Sequence, residues 1–209
     1  MHYDEKYFEW QRNMGIIGGK VDKFKFEPFI TSTDTVIDFG CGGGYILKNL
    51  NCKRRIGIEI NETARKVAIK ENGIEVFANI DLVPDNIADV VISHHALEHT
   101  ENPFEVIKKL STKLKKEGKI IFVVPLERKT KYNPEDINMH LYTWSEQNLG
   151  NLFKQAGYYV EKVEEIKHTW PIGYERIYRM FGEKVFYFAA CIWARMKPHT
   201  TQIRVVAHC

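Results

Sequence analysis

The stretch "TVIDFGCGGGYIL", Thr35 to Leu47, changes character at Asp38: an apolar, β-branched run meets an acid, four glycines fall within five positions, and an aliphatic run resumes. A strand feeding a glycine turn and then a helix brings backbone close to a nucleotide-like ligand. Gly40, Gly42 and Gly44 carry no side chain to collide with it, and the helix start offers unpaired N–H groups. Two familiar nucleotide patterns do not fit. A dinucleotide fingerprint begun at Gly40 meets Tyr45 where its last glycine belongs, and a phosphate-binding loop needs a lysine where Tyr45 follows Gly44.

Outward from this stretch, short β-branched runs alternate with helical spacing. Strands are expected at 35–39, 55–60, 74–78, 88–93 and 118–125, and helices at 45–50, 62–72 and 103–114, the last closed by Gly118. Such a strand-helix rhythm predicts a mostly parallel sheet covered on both faces, with ligands at the carboxyl ends of its strands. Past residue 126 the rhythm weakens into a polar loop (127–144), a helix (145–157) capped by Ser145, a strand (158–166) and a final strand (201–209). An aromatic-rich segment near 170–197 is expected to be an additional helix.

The chain has 209 residues, enough for one substantial core, and a single domain is expected. A net charge of +3 is too small to argue for a polyanionic partner, so no nucleic acid is expected. The four cysteines show no CxxC spacing and the N-terminus lacks the regions of a secretion signal, so the expected location is cytoplasmic. "VFYFAACIWA" (185–194) is too short to span a bilayer.

The acid-x-Gly-x-Gly-x-Gly run from Asp38 to Gly44, with Glu59 ending the next strand and "DVVISHHALEHTENP" (89–103) after that, resembles the class I S-adenosylmethionine-dependent methyltransferases of the small-molecule subgroup. The likeness covers roughly Val36 to Pro125. It implies a Rossmann-like, doubly wound α/β fold whose mostly parallel sheet ends in an antiparallel C-terminal strand, with the extra helical segment before it. It also implies S-adenosyl-L-methionine as cofactor. Asp38 would hold the cofactor's cationic amino end, and Gly40, Gly42 and Gly44 would pass beneath its methionine part. Glu59, followed by Ile60, would accept from the ribose hydroxyls, a task suited to an acceptor-only carboxylate. Asn79, followed by Ile80, stands where the family usually has an acid near the adenine, with Asp81 as its competitor. Ser93 and His94 would lie beside the reactive sulfonium.

The same resemblance makes residues 1–30 a lid, 31–126 the cofactor-binding core and 127–209 the acceptor side. Trp10 and Gln11, an aromatic followed by an amide, suit such a lid, and a loop holding Gly15, Gly18 and Gly19 would permit its motion; a packed N-terminal helix is the equal alternative for that segment. For the acceptor side, His140 in "NMHLYTW" is the expected general base, with His94 second, because methyl transfer to a hydroxyl needs a proton acceptor. His99 is read as orienting its helix. The spacing His95-x-x-Glu98-His99 also resembles the Glu-x-x-Glu-His segment by which some ubiquinone-pathway and small-RNA O-methyltransferases hold a divalent ion, with His140 as a further ligand; no metal is entered among the expectations. O-methylation of a small molecule or sugar is the expected function. The alternatives are transfer to nitrogen or carbon, an inactive cofactor-binding subunit, or a dehydrogenase. The apolar run near 185–193 is expected to be buried, against an acceptor pocket or in a homodimer interface, with a membrane-surface role as the minority reading.

Overall fold

The computed structural model describes residues 5–128, 131–197 and 200–209, with the side chains of 5–11 and of Thr200 outside that description. One seven-stranded sheet forms the centre. Its parallel strands are β1 (Thr35–Phe39), β2 (Arg54–Ile58), β3 (Glu75–Phe77), β4 (Ala88–His94) and β5 (Leu114–Glu127). Strand β7 (Thr200–His208) runs antiparallel between β5 and β6 (Tyr159–Ile166), giving the order β3-β2-β1-β4-β5-β7-β6. This is the doubly wound, Rossmann-like arrangement with an antiparallel C-terminal strand that the resemblance implies. The order reverses between β1 and β4, where such sheets open a ligand crevice.

Both faces of the sheet are apolar, and the two-residue period of a strand divides them. Ile37, Val91, Ile120 and Phe122 enter one core with Ile107, Leu110 and Phe153. Their chain neighbours Val36, Val90, Ile121 and Val123 enter the other with Leu47 and Leu50. The connecting helices begin where polar side chains satisfy their free N–H groups. Asn61 accepts from Ala64 N at the start of α3 (Glu62–Lys70), and Asn102 accepts from Glu105 N at the start of α4 (Pro103–Ser111). Ser145 and Asn148 exchange bonds in a capping box at the start of α5 (Glu146–Gln155), as expected of Ser145.

Three expectations are corrected. Gly118 does not close a helix: α4 stops at Ser111, and strand β5 begins at Leu114 with a register shift against β4 that places Glu117 at φ +66°. Second, the N-terminal glycines lie within helix α1 (Glu5–Val21), which packs on α2 (Tyr45–Asn49). A Cβ at Gly15 would stand 2.6 Å from the Tyr45 ring, and one at Gly19 would strike the Tyr45 backbone. These glycines therefore let α1 press onto Tyr45, and Arg12 clamps α1 to Glu71 with bonds of 2.9 and 2.8 Å. Third, the additional helix α6 (Tyr174–Met196) is broken at Gly182 and is buried only at Phe186, Ala190 and Ala194. Val185, Phe188 and Ile192 face solvent instead. Both sheet faces are already covered, and α6 packs instead on α1 and on the segments that carry Phe24, His168 and Trp170.

Candidate active site

A cleft of about 430 Å³ opens at the carboxyl ends of β1 and β4, lined among others by Asp38, Gly40, Gly42, His94, Asp22 and Trp170. Asp38 is 2 % exposed, and its Oδ1 has no hydrogen-bond partner. Burial, and secondarily the nearby Glu59 carboxylate, hold its pKa well above the usual range. A buried acceptor lacking a donor is costly unless a ligand supplies one. A ligand ammonium is the chemical complement of this carboxylate, so the site fits the cationic amino end of S-adenosylmethionine. Gly42, at φ +52°, has nothing within 4 Å of where a Cβ would stand, which leaves the floor of the cleft open to that ligand.

Glu59 does work inside the protein that its sequence position does not show. Its Oε2 accepts from Gly42 N at 2.9 Å and its Oε1 from Asn61 N at 2.8 Å, so one carboxylate shapes the glycine turn and the entry to α3. A carboxylate has lone pairs beyond these and can still accept from a further donor. Gly44, in contrast, does not line the cleft: a Cβ there would lie 2.8 Å from Ile74, so its bareness serves the packing of α2 onto the segment before β3. Asn79 caps the short 3-10 turn 80–82 through Leu82 N at 3.3 Å, with Ile80 buried beneath it. Ile60 is 60 % exposed beside Glu59, and Asp81 is paired with Lys109. Ser93 is buried and donates to Phe39 O at 2.8 Å, tying the ends of β4 and β1 together. The side chains of Trp10 and Gln11 lie outside the described residues.

A buried cluster in the wall of the cleft escaped the sequence reading. Lys25, fully buried, places Nζ 2.8 Å from Asp22 Oδ1 and 2.8 Å from His94 Nε2. Burial lowers the Lys25 pKa, and Asp22 opposes that shift. His168, 1 % exposed, sets Nδ1 3.6 Å from Asp22, and burial pushes its pKa down to about 4. The pKa of His94 is held well below the ordinary value by burial and by the Lys25 charge. With Nε2 accepting from Lys25, the neutral ring carries its proton on Nδ1 and has no lone pair left for an acceptor. That geometry opposes the expectation of His94 as a base. A lysine after a helix gave no signal, because only the fold brings residue 25 beneath residue 94.

The second expected cluster assembles where β4 and β5 end. "LEH" forms a 3-10 turn, Leu97–His99, and His95 precedes it at φ +53°. His95 therefore lines the cofactor cleft beside His94, while its Nδ1 stays 3.6 Å from Glu98 Oε1. Glu98 is fully buried, both oxygens lack a hydrogen-bond partner, and burial raises its pKa to about 8. Ligand atoms of Glu98, His99 and His140 lie within 4.8 Å of one another. Two bonds deliver His140: Leu141 N donates to Glu98 O at 2.9 Å, and Tyr142 Oη donates to Glu101 O at 2.9 Å. The His140 ring meets that of His99 at 4.9 Å, and its Nδ1 is 3.2 Å from Glu127 Oε1.

The family model described as a methyltransferase domain matches residues 12–163. Solved structures share the fold at low identity. A SAM-dependent methyltransferase from Archaeoglobus fulgidus is 19 % identical with a TM-score of 0.65, the match covering 97 % of this chain and 99 % of that one. A putative methyltransferase from Haloferax volcanii, seen in complex with the Trm112 methyltransferase activator, is 18 % identical with a TM-score of 0.67, covering 98 % and 97 %. A phosphoethanolamine N-methyltransferase 2 from Haemonchus contortus, in complex with phosphomonomethylethanolamine and S-adenosylhomocysteine, is 15 % identical with a TM-score of 0.61, covering 95 % of this chain and 52 % of that one. No curated protein matches. With the sheet order, the open glycine turn and the unpaired Asp38 in place, the matched domain identifies the chain as a member of the methyltransferase domain family and a class I S-adenosylmethionine-dependent methyltransferase.

Proposed function

We propose that the protein methylates a hydroxyl oxygen of a small molecule or sugar, with His140 as the general base. The observation that carries this reading is the Glu127–His140 pair at 3.2 Å, on the loop that follows β5. A carboxylate beside Nδ1 keeps the proton on that nitrogen and leaves Nε2 as the acceptor for an O–H proton. When bound, S-adenosylmethionine supplies a methyl group on a positively charged sulfur. The chain's own task is to place an oxygen in line with it and remove the proton. Asp38 anchors the cofactor's ammonium, Gly42 leaves room beneath it, and Glu59 holds the turn in shape. His140 takes the acceptor's proton as the new O–C bond forms, and Glu127 stabilises the resulting imidazolium.

The Glu98 oxygens, both without a donor, favour a second reading of the same cluster as a seat for a divalent cation that positions the acceptor oxygen. Two imidazoles and one carboxylate suit Zn²⁺ better than Mg²⁺.

Calorimetric titration with S-adenosylhomocysteine, run with and without a chelator, comes first, and a radiolabelled methyl-transfer screen of hydroxyl, amine and carbon acceptors follows. Asp38→Asn is expected to weaken S-adenosylhomocysteine binding by about tenfold, because an ammonium loses its charged acceptor. His140→Ala should bind it normally and turn over about a hundredfold more slowly, the lower range for a lost general base. An amine-only acceptor, or normal turnover in His140→Ala, refutes the oxygen reading. Loss of turnover on chelation supports the cation.

A further inference from the structure

The C-terminal half of α6 has two unlike faces. Phe186 and Ala190 pack inward against Val21, Ile17 and Trp170. Outward, Val185, Phe188, Ile192 and Met196 recur at spacings of three and four and are 46 %, 67 %, 43 % and 67 % exposed. Met180 and Phe181, 59 % and 57 % exposed, continue the apolar surface before the break at Gly182. An exposed apolar stripe repeated over three turns of a helix marks a surface meant to be covered.

Charge indicates what covers it. From Lys184 to Lys197 the sequence holds three basic residues, Lys184, Arg195 and Lys197, and no acid. Over 174–197 there are five basic residues against two acidic ones, an excess equal to the net +3 of the entire chain. The rest of the protein is therefore neutral overall, and its positive charge is concentrated on this helix. Among the described helices none is long and apolar enough to cross a membrane. An apolar stripe flanked by cations on a helix that cannot span is the pattern of a helix lying in the plane of a bilayer.

We propose that the outer face of α6 docks the protein on an anionic lipid surface. A second copy of the chain is the poorer occupant: apposing two such stripes would bring Lys184 and Arg195 near the same cations of the other copy, with no carboxylate in the stretch to pair with them. The inner face of the same helix adjoins the cofactor cleft. Trp170, which lines that cleft, packs on Tyr174 at 4.8 Å and on Phe186 at 5.7 Å. Surface binding does not depend on which atom the enzyme methylates.

The test is flotation of the full chain with vesicles of phosphatidylcholine mixed with phosphatidylglycerol, against vesicles of phosphatidylcholine alone. The protein should float with the mixed vesicles and be released by high salt. Lys184→Gln and Arg195→Gln should each reduce partitioning about fivefold, and Phe188→Ser about tenfold or more. Because all three side chains are exposed, these variants should keep the wild-type melting temperature and S-adenosylhomocysteine affinity, which separates lost docking from lost folding or a lost cofactor site. Equal or absent flotation with the two vesicle types overturns the proposal. So does a dimer, seen by light scattering, that Phe188→Ser converts to monomer.

Discussion

Two histidine clusters flank the end of β4, one residue pair apart in origin and opposite in chemistry. In the first, Lys25 Nζ stands 2.8 Å from both Asp22 Oδ1 and His94 Nε2, so a buried cation has an anion and a neutral imidazole beside it. In the second, Glu98 is as deeply buried as Lys25, but neither of its oxygens has a hydrogen-bond partner, and His95 Nδ1 stands 3.6 Å from Oε1. The compensated cluster pairs its opposite charges within the protein, with Asp22 and His94 on the wall of the cofactor cleft. The uncompensated one is incomplete without a proton, a cation or a substrate group. Burial alone therefore does not distinguish a structural ionisable group from a reactive one; the presence of a partner does.

The contrast is most exposed to pH. Glu98 has a folded pKa of about 8 against an ordinary 4.5, so the folded state keeps a proton that the unfolded chain releases. Its contribution is full below the unfolded value and is lost as pH rises through the folded one, about 5 kcal/mol in all. Glu98→Gln should flatten that slope, as read by urea unfolding at about pH 5 and about pH 8. A wild-type protein with no such slope would mean that Glu98 is ionised and already paired. Breaking the first cluster comes next in size. Lys25→Met leaves Asp22 buried without its cation and is expected to cost about 3–5 kcal/mol by denaturant unfolding, whereas Lys25→Met with Asp22→Asn should restore most of it. A single variant as stable as wild type would show that the pair is not mutually dependent.

His168, in the compensated cluster, gives a smaller effect of opposite sign. Its folded pKa of about 4 lies below the ordinary 6.5, so the unfolded chain binds a proton that the folded one refuses. Stability should fall by about 3 kcal/mol as pH drops from the higher value through the lower. His168→Gln should remove that acid-side loss while leaving the alkaline slope of Glu98 in place. If both slopes moved together, the two clusters would be one coupled system and the distinction between them would fail.

Much of this protein is legible locally. The β-branched strands, the capping residues Asn61, Asn102 and Ser145, and the glycine turn beginning at Gly40 each depend on residues within a few positions of one another. Asp38 and Glu59 are legible as candidates because each lies at the carboxyl end of a strand of the parallel sheet. The errors have a common origin. Gly44 looked like the other glycines of its run, yet Ile74 and not a ligand is what it avoids. His95 looked like part of a helix face, but a left-handed backbone turns it to the cofactor side. The apolar run of α6 looked buried, because hydropathy does not say whether a partner surface remains available.

The sequence by itself determined the alternation of strand and helix, the covering of both sheet faces and the acid-and-glycine signature of the cofactor, since all three are written in short-range spacing. Only the tertiary structure decided that Lys25 neutralises Asp22 beneath His94, that His140 reaches Glu98 and His99, and that α6 keeps a bare face. Those facts join residues far apart in the chain, and burial, pairing and exposure are properties of neighbours in space.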